Sequence, residues 1–482
     1  MAPEVGEGGT GPARLAGTAG LYFAMEAIGM LATVGGVAAF TRIVPPAIYG
    51  QFALVLAASG VAMAVTGEWL QVTALRFTSP GVERSTAVRA LLDLLGYSLS
   101  LFVVLAAGTA FLFHERANSG LIVLGALFAA LSLSFLTVTS LFQANLEARQ
   151  FAGYRAAYSV LRILLATALA LTWERSAAAL VGGQALALAV LLPFAIRHVA
   201  RGLRPQESHG RVQQRGMMLR FGLPLVGWYA ASQLLNLSDR FFLQHWRGNT
   251  EVGLYAVTYA LVMGVVAGTL QPILSAVYPH MVRAWRHGGA QGTQDHFATA
   301  VRMFLLLAPG LLGLLWFFGN DLLGILAPES YQTPRLLIGI VAAGVLCWYG
   351  GLYIQKALEL DLRSRSLLRT LWTAALLNFV ANLVLIPLLG MLGASAATLF
   401  GYGAYLLLTL RAAGRSMRVP IPPRLLTSAL LAFGALAAAG LLADASLATA
   451  SNWLHLLAGG PFVTATYVLV LVARGEHRLA AK

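Results

Sequence analysis

Long apolar runs recur along this 482-residue chain and restrict it to an all-helical fold embedded in a membrane. A bilayer core about 30 Å thick is crossed by roughly 20 apolar residues in a helix. Fourteen such runs can be marked, and we number them as segments 1 to 14. They cover approximately 15–40, 49–70, 87–113, 120–143, 154–172, 178–196, 219–243, 252–277, 299–318, 334–355, 367–388, 391–410, 425–442 and 453–472.

Composition supports this interpretation and excludes several other classes of protein. The chain is 58% hydrophobic and 11% charged, whereas soluble domains hold about 25% charged residues. The single cysteine, Cys347, can form neither an intrachain disulfide nor a cysteine-based metal site. The net charge of +14 arises from short basic tracts between apolar segments, so we expect no nucleic-acid partner.

The basic residues also predict a topology. Placing the N-terminus in the cytoplasm puts 26 of the 33 Lys and Arg residues in inner loops or at inner helix ends. The opposite side receives Arg42, Arg116, Arg175, Arg247 and Arg335. Because Lys and Arg accumulate in cytoplasmic loops, we predict a multi-pass protein of the cytoplasmic (inner) membrane with both termini inside.

A short internal repeat predicts two related halves. Residues 50–57 read GQFALVLA and residues 253–260 read GLYAVTYA, and both share the pattern G-x-[FY]-A-x-x-x-A. Each copy opens the second helix of a six-helix half, and transporters are often built from such repeats. We therefore predict an N-terminal half at 1–200, a basic cytoplasmic linker at 201–218, a C-terminal half at 219–411, and two further helices at 424–473.

Three stretches of the sequence are distinctive in their residues and in their order along the chain. The first is 40–53, FTRIVPPAIYGQFA, in which an arginine precedes a Tyr-Gly turn. The second comprises FGLP at 221–224, SDRF at 238–241 and GLY at 253–255. The third joins Asn378 and Asn382 to IPLLGMLGA at 386–394. In order and spacing these stretches resemble the polysaccharide flippases of the multidrug/oligosaccharidyl-lipid/polysaccharide exporter superfamily, and the resemblance spans roughly residues 15–410.

This resemblance implies a transporter rather than an enzyme. Two six-helix bundles would alternate around a central cavity and carry a lipid-linked oligosaccharide or polysaccharide precursor to the outer leaflet. The phosphate of such a cargo needs cationic partners, and its sugars need hydrogen-bonding groups and flat apolar faces. No cofactor or metal is expected, although a coupling ion, H⁺ or Na⁺, is compatible with this mechanism.

Charged residues within the segments are the first candidates for the cavity, because they are costly in a bilayer unless they face a polar chamber or a partner. Arg162 lies about 10 Å along segment 5 by helical rise, where it would meet a phosphate or extend to the lipid headgroups. Glu26 lies in the middle of segment 1, where it would titrate as a coupling-proton site or pair with an arginine.

Further candidates lie near the ends of segments 1 and 7, the first helices of the two halves. Arg42 and the pair Asp239 and Arg240 would form a gate there, or would anchor to headgroups and pair locally. Gln233 and Asn236 would line the sugar path or hydrogen bond between helices.

Two other functions remain open from the sequence. A multidrug exporter of the same superfamily would share the fold but needs an acidic cavity for its cationic cargo. A membrane-embedded glycan polymerase or ligase would need a sizeable outer loop, and the longest, 319–333, is short. Anionic lipids or enzymes of polysaccharide biosynthesis would be possible partners of the basic inner loops.

Overall fold

The protein is helical throughout the part of the chain that the structure describes. This computed structural model describes residues 12–78, 84–112, 119–203, 210–419, 422–447 and 450–476. Within these ranges no β-strand is present, and the predicted all-α fold is confirmed. Arg116, the two chain ends and residues 204–209 of the predicted linker lie outside the described residues.

Fourteen helices account for the described chain, and twelve of them are long and apolar enough to cross a membrane. The exceptions are the short third helix and the more polar eighth helix. The helices are α1 (Pro12–Ile43), α2 (Pro46–Thr66), α3 (Trp69–Phe77), α4 (Arg84–Leu112), α5 (Ser119–Ala144), α6 (Ala148–Thr172), α7 (Ala177–Arg201), α8 (Arg211–Arg247), α9 (Asn249–Leu326), α10 (Arg335–Leu360), α11 (Ser364–Leu389), α12 (Met391–Ala413), α13 (Pro423–Ser446) and α14 (Asn452–Ala473).

Three segments differ from their predicted form. Segment 2 is divided into α2 and α3, and the break lies at Gly67 and Glu68. Segments 8 and 9 are joined in α9, whose 78 residues would extend about 117 Å at the usual helical rise. Gly289 (φ 56°, ψ −144°) breaks this helix into two crossings. The loop expected at 278–298 is therefore helical, because polar side chains end an apolar run without ending a helix.

Contacts divide the chain into two compact units. Unit 1 comprises Met1–Gly35, Ala62–Glu174 and Ala178–Val226. Unit 2 comprises Gly36–Val61, Arg175–Ala177 and Gly227–Lys482. The boundaries of the two halves expected from the sequence stay predictions.

Tight glycine turns arrange the helices that carry the candidate site in unit 2. Gly248 (φ 84°) alone separates α8 from α9, and Gly390 (φ 57°) alone separates α11 from α12. Both adopt a left-handed conformation that favours glycine. The Glu251 carboxylate accepts a 2.9 Å hydrogen bond from the Met391 amide and so joins the two turns. The helices on either side of each turn are thereby held as antiparallel neighbours.

The last two helices pack on α9 within unit 2. Phe317, Leu436 and Tyr467 belong to one apolar cluster that joins α9, α13 and α14. Beside it, the two ring nitrogens of His455 lie 2.6 Å from an Asp321 oxygen and 3.3 Å from an Asp444 oxygen. Arg335 at the start of α10 forms a 2.6 Å ion pair with Asp444. Apolar burial and ion pairing together attach α13 and α14 to this unit.

Candidate functional site

In unit 1, one face of α6 carries a cationic and aromatic stripe. Arg155, Tyr158 and Arg162 are spaced three and four residues apart, so they share this face. Arg162 donates a 3.1 Å hydrogen bond to the Thr33 hydroxyl of α1, and its guanidinium lies 5.9 Å from the ring centre of Tyr158. Its buried Nε has no hydrogen-bond partner among the described residues. Part of this cation's hydrogen-bonding capacity is therefore unused.

Arg162 lies deeper along its helix than the sequence predicted. Because α6 begins at Ala148 rather than near residue 154, Arg162 is about 21 Å from the helix start instead of about 10 Å. At this position it is beyond the middle of a 25-residue helix. The depth makes extension to the headgroups at the start of the helix a poor explanation for this side chain.

Glu26 of α1 is exposed and is electrostatically attracted to Arg155. The attraction to Arg155 favours the predicted pairing with an arginine over the predicted coupling-proton site. Arg155 is not recognisable as a site residue from the sequence, because it lies at the predicted inner end of segment 5, where basic residues are expected. The three-residue and four-residue spacing to Tyr158 and Arg162 was the available signal. Unit 1 thus presents two arginines and one glutamate between α1 and α6.

In unit 2, a cavity of about 240 Å³ lies between α2, α8 and α9. Of the residues that line it in the described structure, only Arg240 is charged. Two aromatic rings contribute flat apolar walls. The lining residues are Tyr49, Phe52, Ala53, Leu56, Ala57, Leu237, Arg240, Ala256 and Ala260. The cavity is therefore apolar and cationic.

The carboxylate of Asp239, the neighbour of Arg240, is buried and hydrogen bonded at both oxygens. One oxygen accepts from the backbone amide of Arg240 at 2.8 Å. The other accepts from the Tyr255 hydroxyl at 2.6 Å and the Thr398 hydroxyl at 3.2 Å. Within the described chain, no ion pair of 4.0 Å or less joins the side chains of Asp239 and Arg240. The two side chains are thus not in direct contact although the residues are consecutive, and the charge of Arg240 still acts on Asp239 electrostatically.

Arg240 lies against an aromatic ring instead of a carboxylate. Its guanidinium carbon is 5.4 Å from the ring centre of Tyr259. The Tyr259 hydroxyl is 2.6 Å from that of Tyr402, which donates at 2.5 Å to the Asn236 side-chain oxygen. Asn236 therefore supports this network from the same helix that carries Arg240.

A second polar group is packed beside Asp239. Ser238 donates to the Asn378 side-chain oxygen at 3.3 Å, and Asn382 donates to the same oxygen at 3.0 Å. The Asn378 amide donates to the Ala397 carbonyl at 3.0 Å. The side-chain oxygen of Asn382 is buried and has no partner among the described residues. These buried amides form a polar layer inside an otherwise apolar bundle.

The remaining candidates lie outside the cavity. Arg42 donates to the Ile325 carbonyl at 2.9 Å and to the Ala38 carbonyl at 3.1 Å. A cation in this position stabilises the C-terminal end of α9. Gln233 faces Gly60 of α2, where an added Cβ would lie 3.7 Å from its side-chain oxygen. Both residues join elements of unit 2.

The two copies of the internal repeat are in direct contact. A Cβ added to Gly50 would lie 1.9 Å from the Asn249 carbonyl oxygen, and one added to Gly253 would lie 1.9 Å from that of Pro46. Each glycine therefore meets the residue four positions before the other. This reciprocal contact brings α2 and α9 together beside the cavity and agrees with a two-fold relation between the repeats.

Solved structures with the same fold are membrane transporters. The chain is similar to the lipid II flippase MurJ in an inward closed conformation, with a TM-score of 0.74 and 12% identity over 96% of this chain and 99% of that one. It is also similar to an inward-facing multidrug resistance MATE family transporter of the MOP superfamily, with a TM-score of 0.59 and 12% identity over 80% and 94% of the two chains. DinF-BH, a MATE multidrug transporter in complex with R6G, gives a TM-score of 0.59 and 14% identity over 86% and 98%. The protein therefore has the fold of this class of multi-pass membrane transporter.

Sequence comparison identifies the family. The family described as polysaccharide biosynthesis protein matches residues 16–285, more than half of the chain. The chain belongs to this family. A relative, Lsg locus putative protein 1 of Haemophilus influenzae (strain ATCC 51907 / DSM 11121 / KW20 / Rd), is 31% identical over 106 residues, which cover 22% of this chain and 26% of the relative. The match thus spans about a quarter of that relative's length.

Gly253→Ala should destabilise the protein, because its new methyl group would overlap the Pro46 carbonyl and force α2 away from α9. Overpacking of this kind costs about 1–3 kcal/mol. Thermal unfolding of the purified protein in detergent would measure the loss. Gly403→Ala is the matched control, because an added Cβ there meets nothing within 4 Å. Equal unfolding temperatures for the two variants would contradict the close contact.

Proposed function

We propose that this protein is a flippase that moves a lipid-linked oligosaccharide or polysaccharide precursor from the cytoplasmic to the outer leaflet by alternating access. The observation that carries this proposal is the arginine side chain in the apolar cavity of unit 2, whose neighbouring carboxylate is directed elsewhere. A cation in such a place is costly unless a ligand or partner compensates it. The phosphate of a lipid-linked glycan would supply that compensation.

The family and the fold support the same class of cargo. Members of the family are described as polysaccharide biosynthesis proteins. MurJ, whose fold this chain shares, is named a lipid II flippase. The fold therefore accommodates a transporter in which a lipid-linked molecule is the cargo, and it gives no support to a polymerase or ligase.

The charges of the cavity argue against a multidrug exporter, although such exporters share the fold. An exporter of cationic drugs needs exposed carboxylates on the cargo path. Of the nine residues that line the cavity of unit 2 in the described structure, none is acidic. The two carboxylate oxygens of Asp239 accept three hydrogen bonds, and the residue is 2% exposed. The site is better suited to an anion.

Arg162→Ala and Arg240→Ala should each reduce export of the glycan about tenfold or more, since a hydrogen bond to a charged group contributes about 1.5–3 kcal/mol. The measurement is surface glycan in a deletion strain that carries each variant, with protein level followed by immunoblot. Arg220→Ala, an exposed arginine of α8, is the control. Full export by both variants at normal protein level would remove these residues from the cargo path.

We further propose that Asp239 binds a coupling cation, H⁺ or Na⁺. Its buried carboxylate accepts three hydrogen bonds, from Tyr255, Thr398 and the backbone amide of Arg240. About one of its four lone-pair sites is left for a proton or a metal ion, and its negative charge attracts a cation. Glu26, expected from the sequence as a proton site, is exposed and is attracted to Arg155.

Asp239→Asn should abolish the response of transport to an ion gradient, because the amide carries no charge to bind the cation. Proteoliposomes with a fluorescent polyprenyl diphosphate would be measured with an imposed H⁺ or Na⁺ gradient and without one. Asp361→Asn, on the loop after α10, is the control and should respond as the wild type does. A normal response in the Asp239 variant would exclude this carboxylate.

We propose that the protein lies in the cytoplasmic membrane with both termini inside. The lopsided distribution of Lys and Arg supports this orientation. A reporter that is active only outside, fused after the last residue, should stay inactive, whereas the same reporter fused in the loop after α9 at 328–333 should be active. The opposite pattern would invert the topology.

A further inference from the structure

Three neighbouring helices of unit 2 each contribute a pair of polar residues four positions apart. The pairs are Asn236 and Arg240 on α8, Tyr255 and Tyr259 on α9, and Thr398 and Tyr402 on α12. Residues four apart lie one above the other on a helix face, so the pairs form two layers. In the first layer, Tyr255 and Thr398 donate hydrogen bonds to Asp239. In the second layer, Asn236, Tyr259 and Tyr402 are joined by hydrogen bonds, and the Tyr259 ring lies beside Arg240.

The layer around Asp239 keeps its carboxylate away from the guanidinium. All three of its hydrogen bonds come from Tyr255, Thr398 and the backbone amide of Arg240. A carboxylate in direct contact with the guanidinium would accept two of its N–H groups at once. Here that contact is replaced, and the N–H groups of Arg240 stay available to a ligand.

The Tyr259 ring contacts the guanidinium of Arg240 without accepting a hydrogen bond from its N–H groups. The cation lies over the Tyr259 ring at 5.4 Å, and a cation–π interaction engages the face of the ring rather than N–H groups. The Nε atom is buried and has no hydrogen-bond partner within the described chain. Arg240 also lines the cavity, and its terminal N–H groups, rather than the buried Nε, are the donors that a ligand there would reach.

The ring itself is fixed by a chain of hydroxyl groups. Tyr402 donates its proton to Asn236, so the Tyr259 hydroxyl is the donor in the 2.6 Å bond to Tyr402. The Asn236 amide donates to the Ser232 carbonyl at 2.7 Å. Tyr402 also packs against Trp348, with ring centres 5.3 Å apart. The chain returns to α8 one turn before Arg240, which ties the ring and the cation to the same helix.

We infer that Tyr259 is a positioning residue for Arg240. Its ring holds the guanidinium toward the cavity and leaves the N–H groups of Arg240 free for a ligand. Tyr259 thereby sets the affinity of the site for the anionic group of the cargo. This inference rests on the proposed function. Tyr402 and Asn236 act through Tyr259, because they fix the orientation of its ring. None of the three needs to contact the anion.

A fluorinated series at position 259 tests this role. Phenylalanine and its mono-, di- and trifluorinated analogues keep the size of the ring nearly constant while they weaken its negative face. The dissociation constant of geranyl diphosphate would be measured by calorimetry on the full-length protein in detergent. We expect affinity to fall stepwise along the series, to about threefold to thirtyfold weaker at the trifluoro analogue. A purely structural role of the ring would give a flat series.

Two controls separate this inference from the proposed function. The same series at Tyr353, a buried tyrosine of α10 whose hydroxyl donates to the Leu270 carbonyl at 2.6 Å, should leave affinity unchanged. Arg240→Ala should lose binding. A flat series at position 259, with binding lost in Arg240→Ala, would overturn the positioning role alone. Equal binding by wild type and Arg240→Ala would overturn the anion site.

Tyr402→Phe is a second variant that leaves the Tyr259 ring intact. It removes the donor to Asn236 and frees the ring to turn, so we expect affinity to fall about threefold, which is close to the contribution of one neutral hydrogen bond. Unchanged affinity in this variant, with a flat fluorinated series, would leave Tyr259 without any role in positioning Arg240.

Discussion

The structure depends on the cost of placing a cation inside an apolar bundle. A guanidinium in a membrane must face a polar chamber, a partner or a ligand, and direct pairing with a carboxylate is the usual solution. Here Asp239 is adjacent in sequence to Arg240, yet it is bound to Tyr255 and Thr398. Arg240 has no hydrogen-bonded carboxylate partner within the described chain, and a negatively charged cargo would supply one. The same reasoning applies to Arg162, whose Nε lacks a partner in the described chain.

The folding of unit 2 makes this separation possible. Single-glycine turns after α8 and α11 fix these helices as antiparallel neighbours of α9 and α12. The Glu251–Met391 hydrogen bond joins the two turns, so residues about 140 to 160 positions apart in sequence come into hydrogen-bond distance. Close approach of α2 and α9 at Gly50 and Gly253 then forms one side of the cavity. The glycine turns position the helices, the helices form the cavity, and the cavity exposes the charge of Arg240.

Much of the fold could be predicted from the sequence, because apolar runs of bilayer length directly report membrane helices. Hydropathy does not show where a helix ends once it leaves the membrane, so it predicts a loop at 278–298, where the structure has helix. Asp239 and Arg240 were identifiable as charges in an apolar segment. Tyr259 and Tyr402 were not identifiable as site residues, because a tyrosine in a membrane helix is usually explained by the interfacial belt. Their contact also joins α9 to α12, and the sequence does not show which helices pack together.

The central claim is that Arg162 and Arg240 bind the anionic group of a lipid-linked glycan. The most direct test is to delete the gene and to analyse the lipid-linked glycans of the inner leaflet. Accumulation of one such intermediate there, with loss of the corresponding surface glycan, is the predicted result. Unchanged lipid-linked glycans, together with increased sensitivity to cationic drugs, would contradict the account and favour the multidrug exporter.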